Sequence, residues 1–274
     1  MIAARTDSMT TSRTPQSAAS LPALCFPDWL ELVEERSAVL RKAAGAANEQ
    51  ARVPGCPDWT VRDLVTHLGG VQRFWAAAVT AGPAVRPPAE EAVNGRAPTA
   101  DLLSWSARST ALLLDALRGA GPDAGCWTWW AESGNPATAG AVARHQVQEA
   151  AVHARDAQEA AGAPEPLPPG LAVDAVDEFL HVGFGSMDGW PHSPARVALV
   201  SDEGPAWTLI LDATGASAVR GGPGEGPEPG AMVSAPAGEL LLTLYRRTPW
   251  DGPALRVAGD AALVRQLVVW PPLG

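Results

Sequence analysis

A repeated period constrains this chain most. In four separate stretches between residues 26 and 161, apolar side chains recur at steps of three and four, the spacing of amphipathic helices. The first stretch runs from Phe26 to about Ala47 on Trp29, Leu30, Leu32, Val33, Val39 and Leu40. In the second, Thr60 is placed to cap a helix with Asp63 at the capping-box position. Val61, Leu64, Val65, Leu68 and Val71 form its apolar face to about Thr80. A third helix fits residues 99–117 and a fourth residues 137–161. Four long helices predict a four-helix bundle, whose sites are built from side chains on facing helices.

The pattern stops at residues 162–170, GAPEPLPPG, which read as a linker. Beyond it come a short helix over 171–180 and strand-like runs at 196–200, 207–211, 231–234 and 255–257. A helix is expected over 261–269. The run 240–245 is too short and too uniformly apolar to separate strand from helix. This half predicts a small α+β domain. The chain is therefore read as a disordered tail at 1–22, a helical bundle at 23–162, a linker at 163–170 and an α+β domain at 171–274. Three segments read as connections: VPGCPDW at 53–59, residues 81–97 and the Gly/Pro run at 221–230.

Composition narrows the function classes. The net charge is −10 with no compensating basic stripe, so nucleic acid is not an expected partner. No apolar run approaches the ~20 residues of a membrane span, and the polar N-terminus has no signal-like core. Cys25, Cys56 and Cys126 form no CxxC pair, so a reducing cytoplasm is expected. No phosphate loop, dinucleotide fingerprint or nucleophile elbow is present. Cys56 is a conceivable nucleophile, but CPDW reads as a structural turn.

Three side chains stand out: His67 on the second helix, Glu149 and His153 on the fourth. Glu149 and His153 are four apart, which puts them on one face about 6 Å apart along the axis. With His67 from a facing helix they make an N/N/O set, the ligand count of catalytic zinc with one position open. The same spacing also arises on ordinary exposed helices. His145 is about 12 Å from His153 along the helix, too far to share an ion. It reads as a solvated residue, a substrate contact or a group that orients a ligand. Asp63, one turn before His67, and Asp156, three residues after His153, are each placed to orient a ligand imidazole; the plainer readings are a helix cap for Asp63, which is preferred, and a surface charge for Asp156. Eleven tryptophans against four phenylalanines are unusual. Trp127, Trp129 and Trp130 suit either the wall of an organic-ligand pocket or core packing.

The segments VPGCPDWTVRDLVTHLGGVQRFW and RHQVQEAAVHARDAQ resemble two signatures of the mycothiol-dependent maleylpyruvate isomerase family, within the DinB-like metalloenzyme superfamily. LLLTLYRR and VAGDAAL resemble its C-terminal sterol-carrier-like domain. The resemblance implies His67, Glu149 and His153 as ligands of a divalent metal, usually zinc. It implies mycothiol, a low-molecular-weight thiol of actinobacteria, as cosubstrate. It also implies that Arg247, or by a one-residue slip Arg246, reaches the site to hold an anionic substrate, with Asp156 beside the ligands. Relatives commonly carry His directly before the ligand Glu, whereas this chain has Gln148.

The expected activity is thiol S-transfer or cis–trans isomerisation of an electrophilic, anionic small molecule, with a secondary-metabolite pathway as one setting. The expected state is a monomer, with apolar faces buried between its two domains. The alternatives are a metal-independent tailoring enzyme and a non-catalytic lipid-binding module on the same scaffold.

Overall fold

A computed structural model describes residues 21–93, 97–222, 224 and 226–272. All but the last two residues of the expected tail lie outside them.

The four predicted helices form: α1 (Phe26–Ala46), α2 (Val61–Ala81), α3 (Leu102–Ala120) and α4 (Ala139–Ala160). Thr60 begins α2 as its sequence requires. Its hydroxyl accepts the Asp63 N–H at 3.2 Å, and the Asp63 carboxylate accepts the Thr60 N–H at 2.9 Å. Leu64 and Leu68 on the inner face are fully buried, each contributing about 1.5–3 kcal/mol of burial. Gly69 lets α2 and α3 close up, because a Cβ there would lie 2.2 Å from the Trp105 ring. Helix α4 is buried on most of its circumference. Helix α1 packs along it.

Helix boundaries differ from the sequence reading by up to three residues, most plainly at two N-termini. α3 starts at Leu102 after Asp101, which takes a left-handed φ of 59°. α4 starts at Ala139, with Thr138 as its cap. The 53–59 connection is instead largely a hairpin of β1 (Arg52–Val53) and β2 (Cys56–Thr60).

The second half is α+β as expected. Helix α5 (Pro169–Glu178) runs into a π-helical turn at Phe179–Gly183. Strands β3 (Ala195–Ser201), β4 (Ala206–Asp212) and β5 (Gly215–Arg220) form an antiparallel meander. β6 (Ala231–Ala235) returns parallel to β3, and β7 (Arg256–Gly259) closes the edge, giving the order β5-β4-β3-β6-β7. The undecided run 240–245 belongs to helix α6 (Ala237–Leu244), and α7 (Ala261–Val269) follows β7. One apolar core runs from Leu30 and Val142 in the bundle through Leu180 to Leu209 and Leu240. A smaller cluster at the other end joins Leu40, Leu64, Leu68 and Ala154. Among the described residues no helix is long and apolar enough to cross a membrane.

Candidate active site

The three singled-out side chains converge. One ligand atom each from His67, Glu149 and His153 lies within 4.8 Å of the others. Glu149 Oε2 is 3.4 Å from His153 Nε2 and 3.9 Å from His67 Nε2. Donors 2.0–2.1 Å from one tetrahedral ion stand roughly 3.4 Å apart; the Glu149–His153 pair has that separation, and His67 stands within 4.8 Å of both, near enough to join them on one cation. Among the described residues the buried Glu149 Oε2 has no hydrogen-bond partner, the two imidazoles facing it without hydrogen-bond geometry. A buried carboxylate oxygen left unpaired is costly, and a cation among these three atoms removes that cost. The residues fit the group. Burial alone would raise the Glu149 carboxyl, but the neighbouring His153 and His67 outweigh it and hold it well below its ordinary range.

The surroundings aim His153. Its Nδ1 lies 3.0 Å from Asp156 Oδ2, which leaves Nε2 for the trio. Asp156 is fully buried, so its surface-charge reading is corrected. It is locked in turn by Arg247, with Nε 2.9 Å from Oδ1 and Nη2 2.9 Å from Oδ2. Burial by itself would lower the His153 imidazole, but Asp156 and Glu149 raise it to about 9 in the metal-free protein. Gly55 in the β1–β2 turn permits this packing. A Cβ there would meet Asp156 Oδ1 at 2.7 Å and Arg247 Cδ at 2.9 Å.

The end of α6 decides between the two arginines. Arg246 adopts a left-handed φ of 57°. The Arg246 N–H then reaches Thr243 O at 2.9 Å and the Arg247 N–H reaches Leu242 O at 2.7 Å, which is a Schellman closure without the usual glycine. The turn sends Arg246 to the Pro271 carbonyl and Arg247 to the cavity.

The cavity measures about 470 Å³. His67, Glu149, His153, His145, Gln148 and Trp129 from the bundle line it, facing Phe179, Met187, Tyr245 and Arg247. Thus the tryptophan cluster divides: Trp129 walls the cavity, whereas Trp130 is 1% exposed and packs in the core with Trp127 beside it. His145 is buried, which corrects the solvated reading. Its Nδ1 lies 3.0 Å from Glu178 Oε1. Burial alone would lower its imidazole, but the Glu178 charge and hydrogen bond raise it above the ordinary value. Asp63 lies outside the cavity, as a cap. Cys56 is a poor nucleophile, since burial and then Asp156 push its thiol up to about 11.

Sequence reasoning missed two residues. Trp59 on β2 packs its ring at a tilt against His67, with centroids 4.6 Å apart, and lies 5.9 Å from His153. Glu178 ends α5 and pairs with both His145 and Gln148. The signal available for Trp59 was its place directly before the Thr60 cap.

A helical bundle with a His/Glu/His trio on facing helices, closed by an α+β unit that contributes an arginine, defines a class of candidate metalloenzymes. The model described as "Mycothiol maleylpyruvate isomerase N-terminal domain" matches residues 30–158, and "MDMPI C-terminal domain" matches 170–266. The chain belongs to the mycothiol-dependent maleylpyruvate isomerase family. Solved structures with this fold include the mycothiol-dependent maleylpyruvate isomerase, at TM-score 0.56, and a histidine-to-alanine variant of it, at 0.57. Each is 15% identical, over 86% of this chain and 95% of that one. No curated protein sequence matches the chain.

Proposed function

We propose that this protein is a metal- and thiol-dependent isomerase or S-transferase acting on an electrophilic, anionic small molecule. The observation that carries the reading is the convergence of His67, Glu149 and His153 on the cavity, with a buried Glu149 oxygen that has no hydrogen-bond partner among the described residues. The reading takes mycothiol as the cosubstrate, following the names of the family and its solved members, and zinc as the ion, because an N/N/O set of three protein ligands with one open position is the arrangement of catalytic zinc. It also takes residues 23–162 and 171–274 as the two functional units of a cytoplasmic monomer.

A divalent cation in the trio supplies the positive charge that makes a neighbouring thiol ionise. The chain's own residues do the rest. Asp156 holds the His153 ring with Nε2 towards the cavity. Arg247 keeps Asp156 ionised and, having more N–H groups than those bonds use, offers the remainder to a substrate carboxylate. Trp129 and Phe179 supply apolar walls. The thiolate adds to an unsaturated carbon of the substrate. If the thiol later leaves after bond rotation, the product is the geometric isomer; if it stays, the product is a thioether.

The test is turnover of maleylpyruvate, and of a panel of cis-unsaturated acids, with and without mycothiol and a chelator. Conversion that requires thiol, stops on chelation and returns with zinc is expected. Conversion that persists without thiol and after chelation would point to metal-free tailoring. No conversion, with an apolar ligand co-purifying, would point to a binding module.

A further inference from the structure

The cavity holds a second polar group that the trio does not use. His145 lies one turn before Glu149 on α4, about 6 Å along the axis. Glu178, only 2% exposed, has one oxygen 3.0 Å from His145 Nδ1 and accepts the Gln148 amide N–H on the other; the Gln148 amide nitrogen also lies 3.2 Å from His145 Nδ1. A buried carboxylate on Nδ1 fixes the ring orientation and supports an imidazolium. Among the described residues no hydrogen-bond partner meets His145 Nε2, and the ring lines the cavity. Trp130, Trp129 and Trp75 surround it at centroid distances of 5.1, 5.8 and 5.9 Å. Trp130 and Trp75, both buried, pack against the ring on the side away from solvent.

We propose that His145, held by Glu178, is the catalytic proton donor to the substrate oxygen on which negative charge develops as the thiolate adds. The proposal rests on the thiol-dependent reading above. As sulfur bonds to the unsaturated carbon, the C=C electron pair moves through the conjugated carbonyl onto its oxygen. The His145 Nε2 hydrogen passes to that oxygen, leaving an enol and a neutral imidazole hydrogen-bonded to Glu178. Rotation about the former double bond follows. The enol then returns its proton to Nε2, the double bond re-forms and the sulfur leaves as thiolate, so nothing is consumed. The one-turn offset from Glu149 sets donor and thiolate apart along the substrate, as addition across a conjugated system requires.

The test compares full-length wild type, His145→Gln, Glu178→Gln and His145→Ala, with maleylpyruvate and mycothiol as the probe and metal content measured in parallel. Both glutamine variants are expected to keep wild-type metal content and thiol KM. For His145→Gln, kcat falls about 10²–10³-fold, as for loss of one donor to a developing oxyanion, and Glu178→Gln loses less. Imidazole in the buffer restores part of the turnover of His145→Ala, which a merely structural role would not produce. A kcat within threefold of wild type in His145→Gln overturns the proposal. So does a loss that follows loss of metal in both glutamine variants, or a folded His145→Ala that imidazole does not restore. A wild type indifferent to metal and thiol overturns the underlying reading as well. A metal- and thiol-dependent wild type with an indifferent His145→Gln overturns this role alone.

Discussion

Replacing Asp156 by asparagine tests the way the two halves of the chain share one site. Asp156 is fully buried, with its carboxylate between His153 Nδ1 at 3.0 Å and the Arg247 guanidinium at 2.9 Å. The amide keeps the volume and one acceptor, but removes the charge that both partners face. Breaking a buried, hydrogen-bonded ion pair costs about 3–5 kcal/mol. The lower figure applies, because the amide oxygen still accepts one hydrogen bond. At about 2–4 °C per kcal/mol for a chain of this size, the melting temperature falls by about 6–12 °C. Loss of the group that orients a ligand imidazole weakens metal binding about 10–100-fold. Differential scanning calorimetry and zinc titration read the two effects separately. The double variant Asp156→Asn/Arg247→Met should lose less stability than the two single losses added together, because the partners are coupled. An Asp156→Asn protein that melts within 2 °C of wild type and binds zinc equally well would refute the reasoning.

Three further outcomes follow from the same geometry. Gly55→Ala drives a methyl group into Asp156 and Arg247; it should lower metal affinity, read by zinc titration, more than it lowers the melting temperature. Asp177 donates its charge to a separate network. Burial alone would raise its carboxyl, but Arg220, Arg144 and the Trp207 indole pull it down to about 2. A carboxyl depressed in the folded state stabilises the fold above its ordinary value and loses that contribution as pH falls from about 4 to about 2. Urea unfolding of Asp177→Asn should therefore show lower stability at pH 6 and a flatter decline across that window. Trp129 is 46% exposed at the cavity wall, so Trp129→Ala should raise substrate KM severalfold in the turnover assay with little change in melting temperature.

Much of this architecture was legible because its determinants are local. The four bundle helices follow from apolar period, and α2 begins where Thr60 and Asp63 can exchange hydrogen bonds. Glu149 and His153 share a helix face by spacing alone. What escaped depends on distance or on weak pattern. Asp156 and Arg247 are 91 residues apart, and His145 and Glu178 are 33 apart, so no local rule pairs them. Strand β5, GASAVR, consists largely of small residues with little alternation, and pairing with β4 supplies its order. The β1–β2 hairpin was hidden by Pro57, which sits in a short, two-stranded ribbon that tolerates it. Helix α6 reads LLLTL because it is covered on nearly every side, so its sequence carries no face. The choice between Arg246 and Arg247 depended on a left-handed turn with no glycine to announce it.

The central claim is that His67, Glu149 and His153 hold one divalent ion at the cavity. Elemental analysis of protein purified without a histidine tag, wild type beside His67→Ala and His153→Ala, tests it most directly. The account predicts about one zinc per wild-type chain and loss of that zinc in both variants. A wild-type chain that carries no metal even after zinc is added, or variants that keep it, would contradict the account.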